Sequence, residues 1–298
     1  MRTLFVTGGS GFVGRHLLAR VVQGGYARVV ALSRTTQAPV AGVTWVQGEL
    51  QHPARYASYL NADTDIAHLA AATGGASASV HRAVNAEGTE ALLKAAERAR
   101  AGGLLFVSSI AARFPEDPHY PYATAKREAE VIVRAGKVPF VIVRPTIVLG
   151  RGSPILDKLR ALAGGPVIAA IGGGKARVQP VDVTDLAGAL AQLLQRRAFD
   201  GTTLEFGGPE VLTMAELLVR VRAASGRPQA RVMAMPYAPM RGGLIAMEAL
   251  LFGKSPVSAG QLTSFVQDSV AESNSLWQSM RPGMMDVQRM LEAAAARD

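Results

Sequence analysis

The chain of 298 residues contains no cysteine. Disulfides, thiolate metal sites and cysteine nucleophiles are therefore excluded, and the redox compartment stays open. Its five histidines, His16, His52, His68, His81 and His119, show no spacing that would gather metal ligands, so no metal is expected. No uncharged apolar run reaches the roughly 20 residues that span a bilayer, so no transmembrane segment is expected. Internal repeats and low-complexity tracts are missing too. Charged residues make up only 18% of the chain against 49% hydrophobic ones. That balance excludes long disordered tails and fits a folded protein with a sizeable core. The N-terminus runs straight into a strand-like stretch, unlike a signal peptide, and a cytoplasmic protein is expected. The net charge is +9, but the arginines are scattered with little aromatic interleaving. This reads as a solvated basic surface rather than a nucleic-acid site.

What the chain does have begins at Arg2–Leu18, RTLFVTGGSGFVGRHLL. Leu4-Phe5-Val6 has the length and type of a buried parallel strand. Gly8, Gly11 and Gly14 follow at GxxGxxG spacing, and Phe12, Val13, Leu17 and Leu18 resume at helical spacing. Glycine permits a tight turn and lets a ligand approach the backbone. The first N–H groups of the following helix suit a pyrophosphate. Strand-like runs recur at 28–32, 43–46, 65–70, 104–107 and 140–143. Helical patterns lie between them, notably at about 81–100, stopped by Gly102-Gly103, and at 122–135. The alternation predicts a doubly wound parallel α/β sheet. Residues 1–150 are expected to form a dinucleotide-binding domain, and 151–298 a smaller substrate lobe packed on it. Helices should start near Asp182-Val183-Thr184-Asp185 and, with a capping box, at Thr213-Met214-Ala215-Glu216.

Tyr122 and Lys126 are four residues apart, hence on one face of a helix. An ammonium beside a phenol favours the phenolate and lowers its pKa, equipping the pair for proton exchange with an alcohol or carbonyl. Ser109, or its neighbour Ser108, ends a parallel strand on the edge where open sheets bind ligands. After the second strand come Ser33-Arg34-Thr35-Thr36, with no carboxylate for a ribose 2′-hydroxyl. Arg34, with Arg15 as a second cation, suits a 2′-phosphate, so NADP is expected ahead of NAD.

These stretches together resemble the short-chain dehydrogenase/reductase family in its extended or atypical, NAD-dependent epimerase/dehydratase-like branch. Thr7–Gly14 (TGGSGFVG) resembles the cofactor turn, which implies cofactor contacts at Gly8, Ser10, Gly11, Phe12, Val13 and Gly14. Gly48-Glu49-Leu50 looks like the adenine-contacting step, which implicates Glu49 and Leu50 beside Ser33 and Arg34. His68-Leu69-Ala70-Ala71 is similar to the segment under the cofactor, and Asn85-Ala86-Glu87-Gly88-Thr89 to the NxxGT motif. Val107–Ala112 and Tyr122–Lys126 resemble the serine and YxxxK motifs. Arg144-Pro145 with Ile147–Gly150 resembles the strand end over the nicotinamide, adding Pro145. Val181–Asp185 and Gly207-Gly208-Pro209-Glu210 resemble substrate-lobe landmarks. The resemblance implies a Rossmann-like fold and an NAD(P)-dependent oxidoreductase with Ser109, Tyr122 and Lys126 as catalytic residues, and with Asn85, Tyr122 and Lys126 also contacting the cofactor, Lys126 at the nicotinamide ribose. It also admits a nucleotide-sugar epimerase, or a cofactor-bound accessory subunit without turnover, as among complex I accessory relatives. Dehydratases of the branch carry an acidic pair after the serine or threonine, where this chain has Ile110-Ala111-Ala112.

Met233–Phe252, MAMPYAPMRGGLIAMEALLF, is rich in methionine and aliphatic residues. As a pocket wall it points to a mainly apolar small-molecule substrate. Its other uses would be core packing, a homodimer interface or membrane contact.

Overall fold

The computed structural model describes residues 2–250 and 259–295. Six strand-like runs form β1 (Thr3–Thr7), β2 (Arg28–Ser33), β3 (Val43–Gln47), β4 (Thr64–His68), β5 (Gly103–Val107) and β6 (Phe140–Pro145). With the strand Thr203–Phe206 they make a seven-stranded sheet, in the order Thr203–Phe206, β6, β5, β4, β1, β2, β3. The pairs β1–β2, β1–β4, β2–β3, β4–β5 and β5–β6 are all parallel. The chain winds outward in both directions from β1, which sits between β2 and β4. Such a switch point opens a crevice at the carboxyl ends of the strands. The expected doubly wound α/β fold is the one observed.

Helices α1 (Phe12–Val21), α2 (Ala78–His81), α3 (Gly88–Arg98) and α4 (Pro121–Ala135) accompany these strands. The helix expected over 81–100 is broken up. Arg82–Glu87 forms a π-turn between α2 and α3, and Gly88 N donates to Ala83 O five residues back. Gly102-Gly103 do not stop that helix. It ends at Arg98, Arg100 takes the positive φ of 55°, and Gly103 already belongs to β5. Those glycines serve packing instead: a Cβ on Gly103 would lie 2.0 Å from the Phe199 ring. The fourth strand stops at His68, short of the expected Ala70. Leu69 N there donates to Thr7 O at 3.0 Å, and Ala70 N to Thr7 Oγ1 at 3.3 Å.

The chain divides into two compact units, with no single cut near residue 150. The first holds 1–112, 122–144 and 186–204; the second holds 113–121, 145–185 and 205–298. Phe5, Ile66, Leu104, Phe106 and Ile142 anchor the core of the first, with Tyr56 stacked on Phe5 at 5.5 Å between ring centroids. In the second, α5 (Pro154–Ala163) and α7 (Met214–Ala224) bury Leu156, Leu159, Leu217 and Leu218 around Leu149 and Val178. Between them in sequence, α6 (Val183–Arg196) starts where expected, with Thr184 N donating to Asp182 Oδ1 at 2.7 Å. The capping box of α7 is present, Thr213 and Glu216 bonding each other's backbone N–H. The apolar stretch forms a strand, Val232–Met235, and α8 (Tyr237–Leu250). Among the described residues, no helix is long and apolar enough to cross a membrane.

Candidate active site

The glycine turn brings β1 and α1 into direct contact. Gly8 has φ +72°, and a Cβ there would lie 2.6 Å from Ala70 N. A Cβ on Gly14 would lie 2.1 Å from Gly8 O. Gly11 is extended (φ −75°) and stands at the N-cap of α1, which no side chain caps. The amides opening α1, at Phe12 and Val13, therefore lie beside a turn in which Gly8, Gly9 and Gly11 carry no Cβ, with Ser10 half-buried between them. A pyrophosphate fits this donor set.

Ser33 ends β2 buried, and its hydroxyl accepts from Gln37 Nε2 at 3.1 Å. Arg34 is exposed and shares a cavity of about 410 Å³ with Gln47, Gly48, Glu49, His52 and Arg55. Leu50 is buried, with its carbonyl accepting from the Tyr56 hydroxyl at 2.8 Å. Sequence reasoning missed His52 and Arg55. A histidine and an arginine within seven residues of Gly48-Glu49 were the available signal.

The segment Leu69–Ala71 is shaped by a buried polar chain. His68 Nδ1 meets Thr7 Oγ1 at 2.6 Å, and Nε2 meets Thr89 Oγ1 at 2.9 Å. Burial, helped by the Lys126 charge, lowers the His68 pKa to about 3, so the imidazole is neutral. Asn85 Oδ1 accepts from Ala72 N at 2.7 Å, and Nδ2 donates to Ala72 O at 3.0 Å. The Asn85 amide thus holds the segment next to Ala71 in place.

Pro121 opens α4, its missing N–H suiting the first turn. Tyr122, Lys126 and Glu130 then follow at four-residue steps. Beyond the end of β5 the two serines part. Ser108, buried, donates to Glu130 Oε1 at 2.6 Å. Ser109 instead hydrogen-bonds Tyr122. Lys126 is buried, donating to Val107 O at 2.8 Å with its ammonium 4.9 Å from the Phe106 ring centre. Its pKa is lowered to about 8 by burial, against which the Glu130 charge works. Tyr122 does not show the lowered pKa expected from a neighbouring ammonium. Burial raises it, and the Ser109 hydrogen bond opposes the rise only in part. His81, not expected at the site, sets its ring edge-on to Tyr122 at 5.8 Å between centroids. Pro145 closes β6 and falls in the second unit.

A hydroxyl pair beside a buried lysine at the carboxyl edge of a parallel sheet can exchange a proton with a bound oxygen. Comparison with known proteins agrees with the fold that carries these groups. Ceramide reductase of Caulobacter vibrioides is 33% identical over 191 residues, covering 62% of this chain and 58% of that protein. The chain thus spans less than two thirds of that relative's length. The 2-alkyl-3-oxoalkanoate reductase of Stenotrophomonas maltophilia is 27% identical over 95% of this chain and 93% of its own. In fold, WbmH of Bordetella bronchiseptica, solved in complex with NAD+, superposes with a TM-score of 0.69 over 99% of this chain and 97% of that one, at 19% identity. The profile of the NAD dependent epimerase/dehydratase family matches residues 4–206, which cover the glycine turn, Ser109, Tyr122 and Lys126, and the protein belongs to that family.

Proposed function

We propose that the protein is an NADP-preferring oxidoreductase that moves a hydride between nicotinamide and a carbonyl or secondary alcohol of a mainly apolar small molecule. The observation that carries this reading is the Ser109–Tyr122 hydrogen bond with Lys126 one helical turn behind it. When bound, the nicotinamide supplies or accepts the hydride. In reduction, Ser109 holds the substrate oxygen and Tyr122 delivers its proton to it. The phenolate left behind keeps the Ser109 hydrogen bond, which favours it, with Lys126 one helical turn away. In oxidation the proton returns to Tyr122.

Three supports bear on the finer parts. The buried Ile110-Ala111-Ala112 offers no carboxylate for dehydration. Arg34 and Arg55 line one cavity at the end of β2, which suits a 2′-phosphate. Two similar proteins are named as reductases of ceramide and of 2-alkyl-3-oxoalkanoates, compounds with alkyl chains.

The test is turnover of long-chain ketones and 3-oxo acids with NADPH, followed by loss of reduced-nicotinamide fluorescence. Tyr122→Phe is expected to lower turnover by about 10²–10⁴ while NADPH affinity changes little. A Phe variant with parental turnover would remove Tyr122 from the chemistry.

A further inference from the structure

Glu130 is the least expected residue of the first unit. It is 1% exposed, yet it is a carboxylate. Burying such a group is costly unless it is paired and fully hydrogen-bonded. Here the pairing is complete. Arg144 grips it bidentately, Nε to Oε1 at 2.8 Å and Nη2 to Oε2 at 2.6 Å. Arg134 Nη2 reaches Oε2 at 2.9 Å, and Ser108 donates to Oε1 at 2.6 Å. Burial pushes the carboxyl up, but the bonds from Arg144, Ser108 and Arg134 outweigh it and hold Glu130 below the usual range. It is an anion one turn beyond Lys126 on α4.

We propose that Glu130 is a positioning residue of the catalytic site, whose carboxylate fixes Ser108 and serves as the counter-charge that keeps buried Lys126 an ammonium. This rests on the oxidoreductase reading above. Two links carry it. Ser108 lies between Val107, whose carbonyl holds Lys126, and Ser109, which bonds Tyr122, so anchoring Ser108 sets both neighbours. Among the described residues, the titratable and charged neighbours are Tyr122 on the same helix, neutral His68 from β4 and Glu130, with Arg144 from β6 and Arg134 from α4 paired to Glu130. With the carboxylate neutralised, both guanidiniums would act on the ammonium unopposed.

A purely structural cross-link between α4 and β6 would weaken in the same way whichever partner is removed. A charge role gives opposite signs. The Lys126 titration can be followed directly by NMR of protein labelled at the lysine ε-carbon, its signal identified by loss in Lys126→Arg. Glu130→Gln is expected to lower the Lys126 pKa from its parental value by about one unit or more, and Arg144→Gln to raise it. Turnover should follow: with an ammonium required, activity falls as pH rises through the Lys126 pKa. The alkaline limb therefore moves to lower pH in Glu130→Gln and to higher pH in Arg144→Gln. If Glu130→Gln fails to fold, the double variant Glu130→Gln/Arg144→Gln is compared with Arg144→Gln, and Lys126 must titrate lower in the double variant. An unchanged Lys126 pKa, or shifts of the same sign in both single variants, overturns the proposal. Failure of the oxidoreductase reading looks different, since no variant would turn over any ketone while the NMR shifts remained.

Discussion

At the residue scale, the NADP preference proposed above rests on the charge beside the second strand. A carboxylate after β2 hydrogen-bonds a ribose 2′-hydroxyl, whereas a guanidinium pairs with a 2′-phosphate. This chain places Arg34 there, and the fold adds Arg55 across the same cavity. Hydrogen bonds to charged groups contribute about 1.5–3 kcal/mol each. Arg34→Ala is therefore expected to weaken NADPH binding by about 10–100-fold and leave NADH within about twofold. Arg55→Ala should shift the same ratio in the same direction. Fluorescence titration with both dinucleotides checks this. Equal losses for NADH and NADPH would mean that the arginines hold the turn rather than the phosphate. The place of Arg34 was readable because it directly follows the second strand. Arg55 was not, because its place in the cavity depends on the 3-10 turn Pro53–Arg55 folding back toward Gly48.

At the element scale, the three glycines of the turn do different work, and substitution separates them. Gly14→Ala drives a Cβ to 2.1 Å from Gly8 O, so α1 must back away from β1. Overpacking of this kind costs about 1–3 kcal/mol, and it also displaces the amides that open α1. A lower Tm and loss of dinucleotide binding are expected together. Gly11→Ala meets Gly8 O only at 3.1 Å and has a negative φ. It should keep the fold and lose less affinity. Calorimetry and dinucleotide titration of the pair check the contrast, and equal behaviour would contradict the close approach at Gly14.

β5, GLLFV, was readable because a strand buried on both faces is an unbroken apolar run, while β4 is buried too but carries Thr64, Asp65 and His68. β4 and β5 are buried throughout, and their limits lie within two residues of those expected. The π-turn at Arg82–Glu87 was not readable, because apolar spacing does not show which carbonyl an amide bonds. Nor was the network around Glu130, whose partner Arg144 comes from a strand fourteen residues further on. YxxxK marked Tyr122 and Lys126, but only folding distinguishes Ser109, bonded to Tyr122, from Ser108, bonded to Glu130.

At the scale of the whole molecule, the chain passes between its two units five times, at 112–113, 121–122, 144–145, 185–186 and 204–205. The apolar stretch lies in the second unit, and its surface chemistry is the basis of the substrate reading proposed above. In that unit α8 has two charged residues, and both are engaged. Arg241 Nη2 bonds Asp117 Oδ1 at 2.8 Å, and Glu248 Oε1 accepts from Ala259 N at 2.6 Å. Tyr237, Met240 and Leu244 pack partly on the second core, which accounts for one side of the helix. Ile245 and Met247 stay half-buried, Met233 is 46% exposed and Leu250 78% exposed. Leu251 and Phe252, expected to belong to the same apolar wall, lie outside the described residues. A sugar nucleotide needs cations or a helix N-terminus for its diphosphate, and the one cation of α8 is already held by Asp117. Methionine and aliphatic surface suits alkyl chains of irregular shape. Side by side, long-chain ketones or quinone-like carbonyls are expected to bind and turn over at least about tenfold better than UDP-, GDP- or dTDP-sugars, a margin of about 1.4 kcal/mol. Exchanging Ile245 and Met247 for serine should raise KM for the long chains more than for short ones, because each buried methylene contributes about 0.8 kcal/mol. Micromolar binding of a nucleotide sugar, displaced by free UDP but not by NADPH, would assign the second unit to sugar nucleotides instead.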